Sequence, residues 1–154
     1  MKTIPFVLRD HRDELWRRWA DSLDERVSVD YRKLIASPLG ERIVRAFIDE
    51  LCAASEAEEY EVPGLVRGAE ERVAAEARSR LAVGFSSDDM VIALQSLRGA
   101  IVDVLVDALV LDEMPSFADS LMQMRRADAF LDRLVCATMR AGGAPGSSTL
   151  DERA

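Results

Sequence analysis

The side chains best equipped for chemistry in this chain are one histidine, two cysteines and two charges that fall on apolar helical faces. His11 is the sole histidine. It lies beside Leu8 and Leu15 at helical spacing, where an imidazole packs and hydrogen-bonds. Alone it supplies neither a His-carboxylate zinc site nor a Ser-His-Asp triad. No Glu-x-x-His spacing of the di-iron kind occurs, and no glycine-rich phosphate loop. The motifs therefore offer no catalytic residue, no metal ligand set and no cofactor, and the chain reads as non-enzymatic. Cys52 and Cys136 stand far apart in apolar helical contexts and are expected as buried free thiols, which suits a reducing cytoplasm.

Arg98 and Asp128 are the misplaced charges. At about 100° per residue, Arg98 falls among Val91, Leu94, Ile101, Val102, Leu105 and Leu109, and Asp128 among Leu121, Met124, Leu131 and Val135. If the two helices that carry them form an antiparallel hairpin turning near residues 113 and 114, equal rise per residue brings the two charges abreast. The spacing predicts an ion pair between them, buried or half-buried, that fixes helix register. The functional alternative is that Arg98 lines a pocket and holds an anionic ligand.

The elements that must position these residues are all helical, because apolar residues recur at helical spacing and nowhere alternate as in a strand. Six helices are expected. The first, over 4–25, turns Leu8, Leu15, Trp16, Trp19 and Leu23 inward, and a short one follows over 29–36. Ser37-Pro38 then restarts the chain, with serine as cap and proline in the first turn, for a third helix reaching about 55. An acidic stretch ending in Pro63-Gly64 is expected as a loop. The fourth helix, over 65–83, has a thin inner stripe of Val66, Ala69, Val73, Ala77 and Leu81. Gly84 ends it, and Ser86 with Asp89 caps the fifth, over 87–111. The sixth is expected to bury Phe117, Leu121, Met124, Leu131, Val135 and Met139. Residues 1–140 thus form one helical domain, and the Gly- and Ser-rich 141–154 a flexible tail or linker.

Composition narrows the partners. With 154 residues, 49% of them apolar, the chain can bury a core without metal or disulfide staples. A net charge of −8 opposes binding to nucleic acid, whose backbone needs a clustered positive field. Arg98, Asp103 and Asp107 interrupt the apolar run over 90–111, which argues against membrane insertion. That fifth helix has a polar stripe of only Ser96, Gly99, Asp103 and Asp107, so it is either surrounded in the domain or shared with a second subunit.

The order of features resembles a known family. Arg12-Asp13-Glu14-Leu15 with Trp19, the run Arg80-Leu81-Ala82-Val83-Gly84-Phe85-Ser86, and Leu94-Gln95-Ser96-Leu97-Arg98 are similar to the N-terminal sensory domain of RsbR-type stressosome co-antagonists and related bacterial signalling proteins. The resemblance is diffuse and spans about 4–140. It implies a globin-like fold without haem, a dimer, and a place ahead of an output domain such as a STAS domain or kinase. No such sequence follows residue 140, so a separated sensor or a fragment is expected. The sequence itself opposes haem, since the late helices carry Met122, Met124, Met139 and Cys136 but no histidine.

Two functions follow as expectations. One is a dimeric signalling module, with Val102, Val106 and Val110 as the dimer face and an unidentified downstream protein as partner. The other is a binding protein for a small apolar or anionic ligand, with a pocket around His11, Trp16 and Trp19 and the acid group held by Arg98 or His11.

Overall fold

Local capping chemistry sets several of the helix boundaries in the computed structural model, which describes residues 3–111 and 116–153, with side chains to residue 143. Seven helices run through the described residues: α1 (Ile4–Asp10), α2 (Arg12–Ser22), α3 (Val29–Ala36), α4 (Pro38–Glu56), α5 (Val62–Ala82), α6 (Ser87–Val110) and α7 (Phe117–Arg153). Ser28, Ser37 and Ser86 cap α3, α4 and α6, their side-chain oxygens accepting from the backbone N–H groups of Tyr31, Leu39 and Asp89. Gly84 takes the left-handed conformation, φ 103°, that closes α5. Its N–H donates to Leu81 and that of Phe85 to Arg80, the paired bonds of a Schellman stop.

The first expected helix is two. It breaks at His11, whose backbone N–H closes α1 and whose carbonyl opens α2. Neither glycine nor proline marks the break. Its cause is tertiary, since α1 buries Ile4, Pro5, Val7 and Leu8 on its own course against α4, α6 and α7. The fifth element also starts earlier than periodicity suggests, at Val62, with Pro63 in its first turn, where the missing N–H costs nothing.

The core is one cluster shared by all seven helices. Trp19, Phe47, Leu97, Leu105, Leu131 and Leu134 are among its fully buried members. The buried face of α6 is Met90, Ala93, Leu97, Ala100, Ile101, Val104, Leu105 and Ala108, and α7 buries Ser120, Ala127, Phe130, Leu131, Leu134, Val135, Ala137, Thr138 and Ala141. Both faces overlap the expected ones only in part. Ile101, Leu105, Leu131 and Val135 are buried as expected and Met124 packs half-buried against the core, while the other expected positions turn outward to varying degrees. Phe117, Leu121 and Met139 are exposed, Arg98 sits at the edge of the apolar face, and Cys136 is exposed while Cys52 is buried.

Helix α6 packs against α7, and two contacts give their relative course. Arg98 meets Asp128 and Asp132, while a side chain built on Gly142 would come within 2.7 Å of the Ser87 Cβ. Ascending α6 therefore meets descending α7. The turn expected at 113 and 114 lies outside the described residues. The tail expected at 141–154 falls on the end of α7, where only the backbone course is described beyond 143. No helix among the described residues is long and apolar enough to cross a membrane.

Candidate interaction surface

Helix α5 shows how charge substitutes for apolar contact in this fold. Its buried residues are only Ala69, Val73 and Ala77. On the side toward α4, Arg72 donates through Nε to Glu50 at 2.8 Å and through Nη1 to Glu76 at 2.9 Å. Burial depresses the Arg72 guanidinium, but the hydrogen bonds and charges of the two carboxylates outweigh it and hold the group above its ordinary range. Toward α7, Glu70 accepts from Arg133 at 2.8 and 3.0 Å and from Arg140 at 3.1 Å.

Beneath this ladder lies a partly open cavity of about 30 Å³, bordered by Trp19, Tyr31, Phe47, Arg80, Met90 and Leu97. Space of that size holds about one or two waters, an order of magnitude below the roughly 300 Å³ from which ligand pockets start. Arg98 does not border it.

The residues singled out as a pocket do not share a cavity. Trp19 borders the cavity beneath α5 and donates its indole N–H to the Ala93 carbonyl at 2.7 Å. Trp16, half-buried, donates to the Ile35 carbonyl at 2.7 Å. His11 lies at the α1–α2 junction on a polar surface groove, its Nδ1 3.5 Å from Glu14. Both tryptophans therefore tie helices together: Trp16 joins α2 to α3 and Trp19 joins α2 to α6.

Arg98 and Asp128 do approach each other, with Arg98 Nε 3.7 Å from the carboxylate, and the guanidinium hydrogen-bonds Asp132 one turn further on. Asp132 is the partner that sequence spacing missed. The arginine side chain is 31% exposed and the carboxylates 48% and 59%, so this is a surface clasp between α6 and α7. Arg98 Nε is itself buried and makes no hydrogen bond among the described residues.

The feature that stands out is apolar and outward. Val106, Val110 and Leu111 at the end of α6 and Phe117, Leu121 and Met122 at the start of α7 are all exposed, from 47% for Val106 to 80% for Val110. Val102, the third residue of the expected dimer face, is half-buried. Equal rise along the two helices, counted from the Arg98 and Gly142 contacts, puts Val110 level with Phe117 and Val106 level with Leu121 and Met122. Six large apolar side chains at matching levels on adjacent helices form the kind of patch that marks an interaction site. Beside it, Arg18 of α2 bridges Glu14 and Asp107, which engages Asp107 within the chain. Among the described residues no group of three or more His, Cys, Asp or Glu side chains is placed to hold a metal ion.

The fold and surface together define an all-helical domain with an open apolar face. No family model, no curated protein and no solved structure matches the chain.

Proposed function

We propose that this chain is a non-enzymatic signalling or sensory module that acts as a homodimer and through contacts with a downstream protein. The observation that carries the reading is the exposed apolar face of α6 and α7, six large side chains whose burial against a partner would be favourable. The resemblance to the haem-free, globin-like sensory domains of RsbR-type bacterial signalling proteins supports the same role and a cytoplasmic setting. The alternative, a binding protein for a small anionic or amphipathic ligand, asks for an apolar pocket reaching Arg98. The cavity beside Trp19 is instead partly open, about 30 Å³, and Arg98 does not border it.

Light scattering coupled to size exclusion tests the proposal. The wild-type chain is expected as a dimer, and a Val106→Glu/Val110→Glu variant as a monomer with unchanged helical circular dichroism. A monomeric wild type at micromolar concentration overturns it.

A further inference from the structure

We infer that the second copy covers this face with α6 of each chain lying on α7 of the other, and that Asp103 selects that arrangement by pairing with Arg125 and Arg126 across the interface. The pairing rests on the dimer reading above and adds its geometry and its specificity residues. A two-fold interface must present the same patch twice, so it closes well when one patch carries both halves of each complementary pair. This patch does. Along α6, Asp103 follows Val110 and Val106 toward the helix start, and along α7 Arg125 and Arg126 follow Phe117, Leu121 and Met122 toward the helix end. All three charged side chains are exposed, and none forms an ion pair among the described residues.

The levels decide the geometry. Counting equal rises from the contacts of Arg98 and Gly142 puts Asp103 level with Arg125 and Arg126, just as Val110 is level with Phe117. A two-fold axis parallel to the helices exchanges α6 with α7 and preserves level. Val110 then faces Phe117 of the second copy, Val106 faces Leu121 and Met122, and Asp103 faces the two arginines. Each α6 meets an antiparallel α7, and the four helices close around an apolar centre with charge at one end. An axis perpendicular to the helices would invert the levels. It would set Asp103 of one chain away from the arginines of the other unless the apolar patches slid apart. Asp107 has no part in this, because Arg18 already holds it.

Complementary charge reversal tests the pairing. Asp103→Arg and the double variant Arg125→Asp/Arg126→Asp change exposed positions and are expected to keep the wild-type circular dichroism. Each alone is expected to dimerise at least about tenfold more weakly than wild type, since like charges then meet twice per dimer. An equimolar mixture is expected to give the mixed dimer in excess over either homodimer, read by mass in native mass spectrometry. If wild type is a dimer and both variants dimerise as tightly, or if both weaken and mixing restores nothing, the pairing is wrong while the dimer stands. A monomeric wild type removes the dimer reading itself. Asp103→Asn gives a second readout free of reversed charge. Wild-type Kd should rise with salt, and this variant should flatten that dependence; equal slopes overturn the pairing.

Discussion

At the scale of single residues, the closest approach to a described glycine is at the junction between α3 and α4. A methyl on Gly40 would overlap the Ile35 carbonyl oxygen, and that same oxygen accepts the Trp16 indole N–H. Gly40→Ala must push the carbonyl away and break the tryptophan's bond, so a loss of about 3 kcal/mol is expected, with Trp emission shifted to the red. Urea denaturation followed by fluorescence measures both, and an unchanged midpoint would show that the carbonyl yields freely. Tyr31 makes a second case. Burial raises its phenol above the ordinary value of 10.0, outweighing the opposing charge of Arg80. The folded chain then holds the phenolic proton to higher pH than the unfolded chain does. Its contribution is whole below pH about 10 and is lost as pH climbs through the folded value. Between about pH 9 and 11, wild-type stability should fall more steeply than that of Tyr31→Phe, and parallel curves would refute the assignment. The sequence announced Trp16 and Trp19 as packing residues by their one-turn spacing. It could not announce Gly40, because nothing local to Ser37-Pro38-Leu39 says which carbonyl will lie against the next residue.

At the scale of elements, what was legible is what is local. Ser37-Pro38, Gly84 and Ser86 act on their own backbone within a few residues, and each boundary they mark is found there. What was illegible depends on neighbours. The inner faces of α6 and α7 are lined by Ala93, Ala100, Ala108, Ala127, Ala137 and Ala141, where small side chains let helices approach closely. A reading weighted toward Val, Leu and Met finds Ile101, Leu105, Leu131 and Val135 but misses the alanines, and so rotates both faces part of the way outward. The same rotation left Phe117 and Leu121 outside and moved Arg98 to an edge where it reaches Asp132 as well as Asp128. Helix α5 follows the same rule, its alanine face leaving charge to hold it. Glu70, 15% exposed between Arg133 and Arg140, is the point to test. Both arginines are largely solvated, which discounts the pair, so Glu70→Gln is expected to cost about 1 kcal/mol at low salt. In about 1 M salt, where screening acts over about 3 Å, the difference from wild type should mostly vanish. A difference that persisted undiminished would mean that Glu70 acts through packing.

At the scale of the whole molecule, a chain of net charge −8 gains solubility from self-repulsion, yet it leaves six large apolar side chains open at the α6–α7 end. Those two tendencies are reconciled if the patch is covered in use, and covering it ties folding to association. When only the folded chain dimerises, the dimer withdraws folded molecules from the unfolding equilibrium, and apparent stability grows with total concentration. Above the dimer Kd, each tenfold rise in protein should add about 1.4 kcal/mol per dimer, read as a steadily rising unfolding midpoint in calorimetry. The Val106→Glu/Val110→Glu variant should unfold at one temperature whatever its concentration, because exposed valines replaced by exposed glutamates leave the monomer's core untouched. A wild-type midpoint that stays fixed over the same range would mean that the patch is bare at rest. A wild type and variant rising together would mean that the chains associate through some other face.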